Sequence, residues 1–87
     1  MTEIGSPPGR WRYGLHPQAA GMRIRTLERV DLQVGEALRV EMAGDDDDVH
    51  LQYYIATELG AWALWLSCAP TEVATDEASL QGLAAPN

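Results

Sequence analysis

The 87 residues of this chain are enough for one hydrophobic core and too few for two independent ones. The chain has one cysteine, which excludes an internal disulfide, and one cysteine with two histidines makes a Cys/His metal cage improbable. Its formal net charge of −7 disfavours general binding of nucleic acid or of anionic lipid, because both ligands need a basic surface.

The charge is distributed unevenly along the chain. All six basic residues are arginines that precede Glu41, so the rest of the chain is strongly acidic. An acidic region of this kind attracts partners with a basic surface. The absence of lysine beside abundant arginine and alanine is typical of a GC-rich bacterial gene. No stretch has the roughly 20 apolar residues of a membrane span, and the start lacks a signal-peptide pattern, so we expect a cytoplasmic protein.

Residues 1–21 are predicted to form a partly ordered amino-terminal arm. Proline and glycine recur there too often for a helix or strand of normal length. Trp11, Tyr13 and Leu15 nevertheless alternate with polar or small residues. This alternation favours a short edge strand or an arm that packs across the body of the protein.

Residues 22–69 are predicted to form an antiparallel β core. From Met22 to Val34, apolar and polar residues alternate, as in one long bent strand or two short ones with one face in water. Leu27 and Glu28 interrupt the alternation, which indicates a β-bulge.

A turn at Gly35 and Glu36 is predicted to lead into another half-buried strand that ends near Met42. The following stretch, 43–48, contains a glycine and four aspartates, which disfavour a strand. We expect it to be an exposed loop.

A β-hairpin is predicted from Val49 to Cys68, with its connection at 58–60. Its second strand is unusual because neither face carries a charge, and Trp62 and Trp65 fall on opposite faces. A strand that is apolar on both faces is either covered on both sides or used for association. Full cover is difficult to supply in so short a chain, so this strand favours a partner or a dimer.

A short helix followed by a tail is predicted for residues 70–87. Thr75 supplies a capping hydroxyl, and Asp76 and Glu77 place acids in the first turn. Val73, Leu80 and Leu83 or Ala84 would form its buried stripe. Together the elements predict a mainly β (α+β) fold: a small antiparallel sheet or partly open barrel of about four to five strands with a short C-terminal helix.

The four consecutive acids Asp45, Asp46, Asp47 and Asp48 are the most conspicuous chemical cluster. A calcium or magnesium site is one interpretation, but the spaced ligands, central glycine and terminal glutamate of an EF-hand loop are missing. The preferred reading is a solvated loop that contacts a basic partner. We predict no metal and no cofactor.

No catalytic residues are predicted. His50 stands beside carboxylates and could titrate near neutral pH, but the sequence offers it no nucleophile or substrate pocket. His16 is a weaker candidate still. A reactive thiol needs an electropositive setting, whereas the sequence around Cys68 is acidic or apolar. We therefore expect Cys68 to be an ordinary buried cysteine.

The aromatic hairpin face that carries Tyr54 and Trp65 is predicted to be an interaction surface, because Tyr and Trp are enriched at binding hot spots. Ordinary core packing and a small-ligand platform remain alternatives for this face. Arg23 and Arg25 are the other candidate interaction residues, joined by Arg39 from the next strand. They would pair with Glu41 or with the acidic half of a second copy, or hold a phosphate or acidic peptide.

These features favour a non-enzymatic protein-interaction module, such as a regulator, inhibitor, immunity-type protein or assembly factor. It would act through its acidic surface and its apolar hairpin, on a protein partner with a basic surface or as a homodimer. The alternative is a small-ligand-binding module or minor enzyme subunit. A decoy that imitates the charge of nucleic acid is a third possibility, although the carboxylates would then be spread over a face.

Overall fold

Five strands and one α-helix make up the fold in the computed structural model, which describes residues 7–58 and 60–81. The strands follow the order β1-β5-β4-β3-β2, and every neighbouring pair is antiparallel. Single-turn 3₁₀ helices lie at Ala19–Gly21 and Pro70–Glu72. The bounds of the main elements are β1 Arg12–Tyr13, β2 Arg23–Leu32, β3 Gly35–Ala43, β4 Val49–Thr57, β5 Gly60–Cys68 and α1 Val73–Gln81.

The predicted fold class is confirmed: the sheet is antiparallel and not closed, and a short helix follows it. The predicted hairpin corresponds to β4 and β5, in which Thr57 pairs with Gly60. The predicted edge strand near Tyr13 is β1, which pairs with β5. Leu59 and residues 1–6 and 82–87 lie outside the described residues, and so do the parts of the predicted arm and tail that fall there.

Strand β2 contains the predicted bulge, but at Arg25 rather than at Leu27 and Glu28. Ile24 pairs with Met42 and Thr26 with Glu41, so Arg25 is the additional residue. The apolar pattern misplaced the bulge because Leu27 is exposed although it is apolar.

The turn between β2 and β3 consists of Gln33 and Val34, since Leu32 already pairs with Gly35. The predicted turn at Gly35 and Glu36 was therefore two residues too late. Gly35 has a φ of +153°, and a Cβ there would lie 2.8 Å from the carbonyl oxygen of Ala56. Glycine is needed at this position because the backbone of β4 leaves no room for a side chain.

The main hydrophobic core lies between α1 and one face of the sheet, which we call the helix face. Alternate residues of β4 and β5 supply most of it, as their period of two requires. Leu80 of α1 and Trp11 of the amino-terminal segment close the core and are fully buried. Its strand residues include Leu51, Tyr53, Ile55, Leu64, Leu66 and Cys68.

Trp11 fastens the amino-terminal segment to α1. Its indole Nε1 donates a hydrogen bond of 2.8 Å to the carbonyl oxygen of Asp76, and its ring meets that of Tyr53 edge-on at 5.2 Å. Arg10 binds the carboxylate of Asp76 beside it. The predicted arm is thus packed against the body at this point.

Helix α1 begins at Val73, two residues before the start that Thr75 predicted. The 3₁₀ turn from Pro70 to Glu72 leads directly into it, and Pro70 has the φ angle that the first helical position needs. Val73 and Leu80 pack on the core as predicted, whereas Leu83 and Ala84 lie outside the described residues. No helix within the described ranges is long and apolar enough to cross a membrane.

Candidate interaction surface

The second face of the sheet, which we call the open face, is built from three rows of cross-strand neighbours. From β2 towards β5, the first row runs Ile24, Met42, His50 and Ser67; the second runs Leu27, Val40, Gln52 and Trp65; and the third runs Arg29, Leu38, Tyr54 and Ala63. Val40 and Met42 are buried although they lie outside the main core cluster. This face therefore has a small second buried layer.

The segment from Gly14 to Met22 lies over the open face near β4 and β5. The amide of Gly14 donates 2.8 Å to the carbonyl oxygen of Ala63, and the amide of His16 donates 3.0 Å to Oε1 of Gln52. The His16 ring stacks at a tilt on Trp65, with ring centroids 4.7 Å apart. This contact makes Trp65 half-buried rather than exposed.

A buried polar network holds this segment on the sheet. Nε2 of His16 lies 3.1 Å from Nδ1 of His50 and 3.0 Å from Oγ of Ser67. Oγ of Ser67 lies 2.7 Å from Nδ1 of His50, whose Nε2 lies 2.8 Å from Oδ1 of Asp46. Both imidazoles are at least 95% buried, since His16 is 5% and His50 is 2% exposed.

For neutral imidazoles, the partners of each ring assign its tautomer. Nδ1 of His16 accepts from the amide of Gln18, so its Nε2 carries the proton. The carboxylate of Asp46 accepts from Nε2 of His50, so Nδ1 of His50 is the acceptor for the Ser67 hydroxyl. The hydrogen bond from His50 lowers the pKa of Asp46, and burial, followed by the neighbouring His50, lowers the pKa of His16.

The distances from Ser67 to His50 and from His50 to Asp46 resemble those of a hydrolytic triad. However, Oγ of Ser67 is also in hydrogen-bond contact with His16, and Ser67 lines neither of the two described cavities. The geometry therefore suits a fastening for the amino-terminal segment better than a reaction centre.

With these tautomers, Nε2 of His16 and Nδ1 of His50 cannot both bind one metal ion, because Nε2 of His16 carries a proton. Shifting this proton to Nδ1 would bring it against the amide N–H of Gln18. Within the described ranges, no group of three or more His, Cys, Asp or Glu residues is placed to hold a metal ion.

Four large apolar side chains are exposed on the open face, beside the exposed ion pair of Arg29 and Glu36. Tyr54 is 44%, Leu27 is 56%, Ile24 is 62% and Leu15 is 66% exposed, and all four lie on this side of the sheet. A shallow cavity of about 240 Å³ lies at the end of the β4–β5 hairpin. Its lining includes Leu15, Tyr54, Ala56, Ala61 and Ala63.

The predicted aspartate loop is exposed from Asp45 to Asp48 and lies at the end of this surface. Asp45 and Asp46 line a second, polar cavity of about 280 Å³ with Gln18 and Met22 of the covering segment. The structure therefore brings the acidic loop and the apolar hairpin to the same side of the sheet.

The arginines predicted to interact lie elsewhere. Arg23 and Arg25 are exposed at the amino-terminal end of β2, and Arg25 lies 3.5 Å from the carboxylate of Glu41, a partner that the sequence suggested. Arg39 does not join an exposed stripe, because it is largely covered and binds Glu77 of α1 at 2.7 Å.

Cys68 is buried in the main core. Burial, and secondarily Asp76, raises the pKa of its thiol to about 11. The thiol therefore stays protonated at neutral pH.

The meeting of the two histidines with Ser67 was not predicted from the sequence. The hairpin register places His50 directly opposite Ser67, so this pair was accessible to sequence reasoning. The position of His16 was not, because it depends on how a non-strand segment crosses the sheet.

In comparisons with known proteins, no family model, no curated protein and no solved structure matches this chain significantly.

Proposed function

We propose that this chain is a protein-interaction module that binds a protein partner through its open face. The observation that carries the proposal is the clustering of Leu15, Ile24, Leu27 and Tyr54 on one side of the sheet. Single exposed apolar residues are ordinary on protein surfaces, whereas four large ones exposed on one side of a small sheet favour an interaction site. Tyr54 is also of a residue type enriched at the centre of such interfaces.

Charge supports a basic, apolar partner over a second copy stacked face to face. The aspartate loop borders the apolar surface through Asp45 and Asp46, and each copy has a formal net charge of −7. Two such faces would bring their acidic loops against one another's surface. A partner with basic residues around an apolar centre would instead gain from complementary charge during encounter.

The test is site-specific photo-crosslinking in a lysate of the source organism. A benzophenone amino acid replaces Tyr54 in one variant and the exposed Thr75 of α1 in the control variant. We expect a defined adduct from position 54 alone. Equal adducts from both positions, or none from position 54, would refute the proposal.

The captured partner is then tested in purified form. The captured protein should have basic residues around an apolar surface. Tyr54→Ser and Leu27→Ser should each weaken its binding about tenfold, which corresponds to about 1.4 kcal/mol. Thr75→Ser should leave the affinity unchanged. If the captured protein binds these variants with the same affinity as the wild type, it was crosslinked only as an accidental neighbour, and the proposal fails.

A further inference from the structure

The outer edge of β2 is the longest unpaired strand edge in the described part of the chain. β2 has ten residues, lies at the end of the sheet order and pairs only with β3 among the described strands. Eight of its ten residues are exposed, so both its faces and its edge face solvent. Such an edge presents a row of backbone donors and acceptors to another strand.

The turn determines which residues direct those groups outwards. Leu32 and Gly35 close a two-residue turn, so they form a hydrogen-bonded pair, and the alternation of antiparallel ladders extends this to Val30 and Glu28. The residues between them, Arg29 and Asp31, therefore direct their N–H and C=O groups away from β3.

We propose that two copies of this chain pair through their β2 strands, antiparallel, about a two-fold axis at Val30. The axis is normal to the sheet, so a residue must face a residue of the same sheet face in the partner copy. In this register Val30 faces its own counterpart, and Arg29 of each copy faces Asp31 of the other. The outward-directed groups of Arg29 and Asp31 then form the hydrogen-bonded pairs.

Neighbouring registers are electrostatically worse. An axis at Glu28 sets glutamate against glutamate, and an axis at Arg29 sets arginine against arginine, although like charges directly opposite are destabilising. Only the axis at Val30 places two pairs of opposite charges across the new ladder. Glu36 already binds Arg29 within each copy, so the guanidinium would bridge Glu36 and the second copy's Asp31.

The bulge limits this pairing to a defined length. At Arg25 the backbone leaves the regular ladder, so pairing ends before the amino-terminal end of β2. The aspartate loop follows β3 beyond this same end, since Arg23 pairs with Ala43. The acidic loops of the two copies therefore lie at opposite ends of the joined sheet, where their repulsion is weak.

The test is a charge exchange followed by analytical ultracentrifugation. We expect the wild type to form dimers. Arg29→Asp sets aspartate against Asp31 and Asp31→Arg sets arginine against Arg29, so each variant should dissociate at least about tenfold more readily. An equimolar mixture of the two variants restores both opposite-charge pairs and should form a one-to-one heterodimer. Circular dichroism confirms that each variant is folded.

Loss of the Arg29–Glu36 ion pair does not explain that result, because the mixture lacks it in one copy and still associates. A monomeric wild type, dimers unaffected by either substitution, or variants that stay separate on mixing would each overturn the proposal. The experiment contains no other protein, so its outcome is independent of the proposed partner at the open face.

Discussion

His16 couples the amino-terminal segment to pH. Its buried ring faces His50, Ser67 and Trp65, and the carboxylate of Asp46 lies behind His50. Burial, followed by His50, keeps the pKa of His16 below its usual value. The unfolded chain therefore takes up this proton first as the pH falls, and proton uptake by the unfolded state lowers stability.

We predict that the free energy of unfolding is highest above the ordinary histidine pKa of about 6.5 and falls as the pH decreases below it. Each proton taken up contributes at most about 1.4 kcal/mol per pH unit. Urea denaturation across this range should show a smaller slope for His16→Gln. Ser67→Ala is the matched control, because it weakens the network but retains the slope. Parallel profiles for wild type and His16→Gln would contradict the prediction.

At the scale of elements, Arg39 joins β3 to α1. Its guanidinium binds Glu77 and Glu41, and the hydroxyl of Tyr53 donates to Glu77. Burial opposes the charge of Glu77, but the hydrogen bonds from Arg39 and Tyr53 outweigh it and hold its pKa below the usual range. Burial and the adjacent Glu77 raise the pKa of Tyr53, which keeps its hydroxyl protonated as a donor.

We expect Arg39→Met to cost about 2–3 kcal/mol, because it leaves the carboxylate of Glu77 partly buried without a cation. The double variant Arg39→Met/Glu77→Gln should recover most of this loss, since the neutral amide still accepts from Tyr53. Arg25→Met, at an exposed ion pair, should change stability by less than about 1 kcal/mol. Denaturant titration measures all three, and a double variant no more stable than Arg39→Met would disprove this account.

The sequence predicted best those elements whose structure is determined by neighbouring residues in the chain. Strict alternation and Gly60 specified the β4–β5 hairpin, although the predicted connection at 58–60 is one residue too long, since Gly60 already pairs with Thr57. The predicted bulge was displaced by exposed Leu27, which broke the rule that apolar residues are covered. The predicted β2–β3 turn was displaced because Gly35, taken as a turn residue, already pairs with Leu32 in the sheet. An arm packed across the body was one of the sequence predictions, but the residues that 14–22 cover were not predictable, because they depend on contacts between segments far apart in the chain.

Only those parts of the candidate surface that depend on local sequence patterns were predicted. Tyr54 and the aspartate loop follow directly from strand parity and composition. Trp65 is half-covered because the amino-terminal segment crosses the sheet there. Leu15 in that segment, together with Ile24 and Leu27 on the edge strand β2, adds further exposed apolar side chains. Neither cause is visible in a local pattern.

At the scale of the whole molecule, the excess of carboxylates over basic groups produces electrostatic self-repulsion. The formal net charge is −7, and four consecutive aspartates are exposed in one loop. In the described part of the chain, the one contact within 4 Å between a carboxylate of this loop and a basic side chain is the hydrogen bond between Asp46 and His50. Repulsion of this kind weakens the compact state and is screened by salt.

We therefore predict that salt stabilises the fold at neutral pH. Shortening the Debye length from about 30 Å at 0.01 M to about 3 Å at 1 M NaCl should raise the free energy of unfolding. A variant with Asp45, Asp47 and Asp48 changed to Asn should be about 0.5 kcal/mol more stable at low salt and should gain less from added salt. Asp46 is spared because it holds His50. An unchanged salt response in this variant would contradict the prediction.

The topology described above also separates early from late events in folding. Strands β2 to β5 pair with their neighbours in sequence, so each hairpin closes a short loop. The pairing of Arg12 with Trp65 and the bond from Trp11 to Asp76 instead join positions more than 50 residues apart. Closing a long loop costs more chain entropy than closing a short one. We therefore expect the meander of β2 to β5 to form before the amino-terminal segment is fastened to α1.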